Sequence, residues 1–77
     1  MTVLHYIGLD VHKKSISYCV KTAAGKVVQE GKVQACRAEL RRWAEEQQQT
    51  WCGAMEATLF SCWVYDTLKP HAENLVM

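Results

Sequence analysis

The alternation of hydrophobic and polar residues predicts three strands in residues 1–35. Between Val3 and Asp10 few residues are polar on either side of the chain, which is typical of a strand buried on both faces. From Ser15 to Thr22 apolar and polar residues alternate, and residues 26–35 form a third, more polar strand that Gly31 interrupts. The glycine within residues 22–26 permits a tight reversal. The short links predict that the three strands form an antiparallel meander.

After residue 35 the hydrophobic period becomes helical. The first helix is expected to be amphipathic and about three to four turns long, because its apolar positions recur at helical spacing. Residues 50–56 are a short apolar run typical of a central strand, and a second helix is expected from Ala57 to Lys69, before Pro70. Residues 73–77 predict a fifth strand. The positions expected to be buried are Cys36, Leu40, Trp43, Ala44 and Gln47 on the first helix and Phe60, Trp63, Val64 and Leu68 on the second.

The order of these elements, β-β-β-α-β-α-β, predicts an α/β fold with a mixed sheet. Right-handed crossovers place the fourth strand parallel to the first and beside it, which gives the spatial strand order 3-2-1-4-5. Asp10 and Glu56 each end one of these two adjacent strands. We therefore expect the two carboxylates to be neighbours at one edge of the sheet.

The composition limits the classes of protein to which the chain can belong. Its 77 residues, 49% of them hydrophobic, make one small domain or a piece of a larger one. The formal net charge of +1 argues against a strongly basic nucleic-acid-binding arm but permits a local basic patch. The N-terminal apolar stretch lacks the features of a targeting signal, and no run approaches the roughly 18 apolar residues of a membrane span. A cytoplasmic protein without membrane contact is expected.

The cysteines predict reduced, buried thiols. They lie inside apolar runs and show no C-x-x-C spacing, which disfavours both disulfides and zinc. A zinc site that recruits His5, His12 or His71 is the alternative, but no pair of candidate ligands has the spacing of a zinc finger. The four cysteines are Cys19, Cys36, Cys52 and Cys62.

A pair of carboxylates at adjacent strand ends suits a hard cation. Mg²⁺ prefers oxygen ligands and takes one or two carboxylates together with water and substrate phosphate oxygens. Two such ions about 3.5–4 Å apart stabilise the entering and leaving oxygens of a phosphodiester substitution, but they need more than two acids. The ordinary alternative is that Asp10 forms a turn and that Glu56 opens a helix near the positive end of its dipole. The pattern alone leaves both interpretations open.

Four segments of the chain resemble one known family, namely YIGLDVHKKSISYCV, GKVV, AMEAT and VYDTLKPH. In order and spacing they are similar to the N-terminal RuvC-like domain of DEDD transposases of the IS-one-ten family of insertion sequences, which also includes the Piv-type DNA invertases. The resemblance implies a ribonuclease H-like fold and four acids that bind Mg²⁺ or Mn²⁺ to cut and rejoin DNA in transposition. It assigns the first of these catalytic, metal-binding acids to Asp10 and the second to Glu56.

The resemblance covers only part of such a protein. The third and fourth acids and the C-terminal domain with a nucleophilic serine have no counterpart in residues 1–77, and neither Asp66 nor Glu73 matches the missing acids. We therefore expect a partial RuvC-like domain that binds the metal weakly and is inactive by itself. Leu59 stands where the family usually has glycine, and its bulkier side chain is expected to change the strand-to-helix turn near Glu56. DNA is the implied partner, and a guide RNA is implied for some full-length members.

Basic and aromatic residues near the predicted sheet each have two interpretations. His12, Lys13 and Lys14 follow Asp10 and either contact a phosphate backbone or form a solvated turn. Trp51, at the start of a strand, is either a base-stacking residue or a core residue.

The last predicted strand is expected to be an unprotected sheet edge, and an exposed edge favours association with another chain. We therefore expect a homodimer or a higher oligomer, formed through this strand or through the face around Trp63 and Leu68.

Two other functions remain open. An actin-like ATPase or sugar kinase fragment begins with a similar meander and an I-G-x-D motif. Its turn needs small residues to cradle the phosphates of ATP, whereas this chain has His12, Lys13 and Lys14 there. The other alternative is a remnant domain that acts as a non-catalytic interaction module.

Overall fold

Strands and helices follow each other along the chain in the predicted order. The computed structural model describes residues 4–58 and 61–77. The predicted roles of Val3, Leu59 and Phe60 lie outside the described residues. A short 3₁₀ turn, Lys69–His71, follows the second helix. The elements are β1 (Leu4–Val11), β2 (Ser15–Thr22), β3 (Val27–Gln34), α1 (Arg37–Glu45), β4 (Thr50–Met55), α2 (Ser61–Leu68) and β5 (Asn74–Val76).

The strands form one mixed sheet with the spatial order β3-β2-β1-β4-β5 in the described chain, which confirms the predicted order. Strands β1, β2 and β3 are an antiparallel meander, whereas β4 pairs parallel to β1 and β5 pairs parallel to β4. In the β1–β4 ladder Leu9 lies opposite Met55. Residues 10 and 56 therefore follow a paired position on adjacent strands that run in the same direction.

Both helices pack on the same face of the sheet. The buried residues of α1 and α2 form one core with Ile7, Leu9 and Val11 of β1. Strands β4 and β5 are added in the same direction along the sheet. Two right-handed crossovers in that direction place α1 and α2 on the same face.

The opposite face of the sheet carries the other residues of β1, namely Tyr6, Gly8 and Asp10, all of them exposed. We call it the open face, because neither of the described helices covers it. The prediction that the first strand is buried on both faces is therefore wrong for the described chain.

Aromatic side chains fill the middle of the core. The centre of the Trp43 ring from α1 lies 5.1 Å from the centre of the Tyr18 ring and 5.8 Å from that of the Trp51 ring. The first pair is tilted and the second is edge-on, and aromatic pairs prefer such arrangements to face-to-face stacking. Trp51 is only 2% exposed, so it is a core residue and does not offer a stacking surface for bases. Trp63 is half-buried and packs against this core, and Leu68 is fully buried within it.

Some local predictions for the helices and β3 are wrong. The second helix, predicted from Ala57, is α2 (Ser61–Leu68), and neither Ala57 nor Thr58 is helical. Helix α1 has nine residues, fewer than predicted, because Cys36 is an extended cap residue and Gln47 follows the helix end. Strand β3 continues through Gly31, where an added Cβ would lie 2.9 Å from the Tyr18 hydroxyl oxygen. No helix in the described part of the chain is long and apolar enough to cross a membrane.

The cysteines are less buried than predicted. All four are free among the described residues, but Cys36 and Cys62 are exposed and Cys19 and Cys52 are only partly buried. Cys36 precedes α1, and Cys62 lies on the side of α2 away from buried Val64.

We expect Gly25→Ala to destabilise the fold by about 1–2 kcal/mol, because a left-handed backbone is unfavourable for a residue with a Cβ. Gly25 has φ +86° in the turn between β2 and β3, where its N–H donates to the Thr22 carbonyl oxygen at 2.9 Å. Urea unfolding measures the loss. Gly25→Asn is the control, because asparagine tolerates this conformation better. Equal losses in both variants would contradict a conformational cause.

Candidate metal centre

Asp10 and Glu56, which we call the acid pair, lie at the same end of the open face. Both directly follow the register pair Leu9 and Met55 on the adjacent parallel strands β1 and β4. Both also line one shallow concavity on this face. Adjacent strands are about 4.8 Å apart, so carboxylates that follow a paired position on two such strands can reach a single ion between them.

The carboxylate of Asp10 is well exposed and has one neighbour from the following turn. Its side chain is 72% exposed, and Oδ2 accepts a hydrogen bond of 3.0 Å from Nε2–H of His12. This contact orients the carboxylate while most of its surface stays accessible. The sequence left His12 as either a phosphate contact or a turn residue. In the structure its side chain is hydrogen-bonded to Asp10.

Lys13 and Lys14 are exposed in the turn between β1 and β2. The backbone carbonyl of Lys14 accepts a hydrogen bond of 3.1 Å from the N–H of Ala35, directly after β3. The turn is thereby attached to the end of β3, and both lie at the same end of the sheet as the acid pair.

Glu56 is exposed in the segment that joins β4 to α2. Two hydrogen bonds fix the start of α2. The Thr58 N–H donates to Ser61 Oγ at 2.8 Å, and Ser61 Oγ–H donates to the Thr58 carbonyl oxygen at 2.9 Å. Ser61 is only 1% exposed, so these bonds hold the helix start in the core. The end of the segment that carries Glu56 is thereby held near the sheet.

The acid pair fits a hydrated Mg²⁺ or Mn²⁺ ion, because Mg²⁺ commonly uses one or two carboxylates and keeps several waters. No group of three or more His, Cys, Asp or Glu residues in the described chain can hold a metal ion. Asp66 lies on α2, on the helical side of the sheet. The N–H of Glu73 bonds the carbonyl oxygen of Trp51, near the opposite end of β4 from Glu56. Both residues therefore lie away from the acid pair.

Sequence reasoning missed Lys32, which the sheet brings into line with the acid pair. Asp10 lies opposite Ser17 in the β1–β2 ladder, and Ser17 lies opposite Lys32 in the β2–β3 ladder. Lys32 and Ser17 line the same concavity as the acid pair. Counting outward from the β2–β3 turn does not give this alignment, because the register of the β2–β3 ladder shifts by one residue between Val20 and Lys21.

No protein-family model and no curated protein matches the chain. The function of the site is therefore inferred from its residues and their placement.

Proposed function

We propose that the chain is part of a ribonuclease H-like, RuvC-like domain of a DEDD transposase, which cuts and joins DNA strands with the help of Mg²⁺. In this proposal Asp10 and Glu56 are the first two of four metal-binding acids. The observation that carries it is the register of β1 and β4, which puts both carboxylates at one end of the open face. The strand order β3-β2-β1-β4-β5, which was predicted from right-handed crossovers, is also compatible with the ribonuclease H-like fold that the resemblance implies.

The residues of this chain supply metal binding and orientation. Bound Mg²⁺ stabilises the charge on the entering and leaving oxygens of a phosphodiester. The two carboxylates hold the ion, and His12 keeps one oxygen of Asp10 in a fixed orientation. The exposed position of both acids admits a substrate as large as a DNA strand.

Two carboxylates without further acids hold the metal weakly. Affinity for a hard cation depends on the number and charge of its oxygen ligands. The 77-residue chain is therefore expected to bind Mg²⁺ or Mn²⁺ weakly and not to cleave DNA without the other two acids that the family resemblance requires.

Paramagnetic Mn²⁺ tests where the ion binds. We expect substoichiometric Mn²⁺ to broaden the backbone amide NMR signals around Asp10 and Glu56 first. The signal of Gly25, in the turn at the opposite end of the sheet, is the internal control and stays sharp. Broadening that is centred on the acids of α1, or that is uniform over the chain, would contradict the proposed site. Excess Mg²⁺ restores the broadened signals if Mg²⁺ and Mn²⁺ bind at the same site.

A further inference from the structure

We propose that Lys32 binds the phosphate backbone of a DNA strand that lies across the open face beside the acid pair. This inference rests on the proposed function of the acid pair and names a residue that positions the substrate. Lys32 is exposed in the edge strand β3. It is separated from Asp10 by β2 alone.

The ladders place Lys32, Ser17 and Asp10 in one row across the sheet. Two inter-strand spacings separate the backbones of Lys32 and Asp10, which is about 9.6 Å. Side chains of directly opposed residues project from the same face, so the ammonium group and the carboxylate share the open face. Glu56 extends the row on the β4 side. A strand that follows this row therefore meets a cation first and the candidate metal centre next.

The floor beside this row has room for a nucleic-acid strand. Gly8 and Ala54 lie opposite each other on β1 and β4 and line the same concavity. A Cβ added at Gly8 would meet no heavy atom within 4 Å in the described chain. The side chains next to the acid pair are thus small, so the backbone of a DNA strand can approach the sheet closely.

The charges around the row favour a phosphate on the Lys32 side. The acid pair repels a phosphate until a metal ion offsets its charge, whereas Lys32 attracts one directly. Lys13 and Lys14 lie on the same side, because the Lys14 carbonyl bonds the N–H of Ala35 after β3. Glu30 is the opposing charge in the concavity, and it forms no ion pair with Lys32 among the described residues. The ammonium group of Lys32 is therefore available to a ligand.

The salt dependence of DNA binding tests this role. The probe is a fluorescent single-stranded DNA oligonucleotide, whose anisotropy is followed with the 77-residue chain between about 50 and 200 mM salt at constant Mg²⁺. Each phosphate contact adds about 0.7 to the slope of log K against log[salt] for a single strand. We therefore expect Lys32→Met to reduce the slope by about 0.7, and Lys32→Arg to retain it.

Lys26→Met is the matched control. It removes the same charge from an exposed lysine in the turn at the opposite end of the sheet, so the slope is expected to stay unchanged. If Lys32→Met and Lys26→Met have equal slopes, Lys32 is not a phosphate contact and the inference is wrong. If the unmodified chain binds no DNA at the lowest salt, both the proposed function and the proposed phosphate contact of Lys32 are wrong. If DNA and Mn²⁺ binding persist while the slopes are equal, only the role of Lys32 is refuted.

Discussion

Replacing Asp10 with Asn lowers the affinity of the chain for Mn²⁺ by at least about tenfold, which corresponds to about 1.4 kcal/mol of binding free energy. The amide keeps the size of the side chain and its contact with His12 but removes the negative charge that a hard cation requires. Glu56→Gln is expected to have a similar effect, because Glu56 lies at the same end of the open face. Calorimetry or the electron paramagnetic resonance signal of free Mn²⁺ measures both losses.

The double variant decides whether the two acids hold one ion. If Asp10 and Glu56 bind the same ion, the two losses in binding free energy are coupled and do not add. The controls are Asp66→Asn and Glu73→Gln, which remove the same charge from exposed acids away from the acid pair. Strictly additive losses, or equal losses in the controls, would show that the ion is held by general negative charge. The transposase proposal would then lose its chemical basis.

Gly53→Ala is expected to destabilise the fold by about 1–3 kcal/mol, which is the usual effect of overpacking a core. Gly53 is buried on the helical face of β4, between residues that leave no room for a methyl group. An added Cβ would lie 2.6 Å from the Trp51 ring and 2.8 Å from Leu75 Cδ1. The Trp51 ring packs edge-on against Trp43, so it cannot move without disturbing the aromatic core.

Gly8→Ala is the matched control for this prediction. Gly8 lies on the neighbouring strand and faces the open side, where the added Cβ meets no atom of the described residues within 4 Å. The backbone of Gly8 does not have a positive φ, so alanine is expected to stabilise the fold by about 0.4–1 kcal/mol through the unfolded state. Urea midpoints of the two variants should therefore shift in opposite directions. A loss of stability in Gly8→Ala comparable to that in Gly53→Ala would contradict the assignment of the two faces.

The order of the strands could be predicted from the sequence, because the relevant physical signals are local. Gly25 marks the reversal between β2 and β3, and the change from a strand period to a helical period at residue 36 marks the first crossover. The preference for right-handed crossovers then leaves few arrangements. The adjacency of β1 and β4, and with it the placement of Asp10 and Glu56, follows from the same reasoning.

Burial and long-range alignment could not be predicted in the same way. Tyr6 and Gly8 carry no charge, so hydropathy predicted a buried side for β1, but burial depends on which face the helices cover. Cys62 lies in an apolar run, yet it projects away from the core because the helix rotates each residue by about 100°. Lys32 joins the acid pair only through two strand ladders, and a shift of one residue in either ladder moves it to the other face.

The alternation of side chains along β4 limits where this chain tolerates a change of length. One residue inserted within Thr50–Met55 reverses the faces of all later positions in the strand, so that Glu56 turns toward the helices and away from Asp10. An insertion in residues 46–49, between α1 and β4, keeps the register because it only lengthens a surface link. Evolution or protein engineering can therefore vary the length of that link freely, whereas the strand behind it must keep its number of residues.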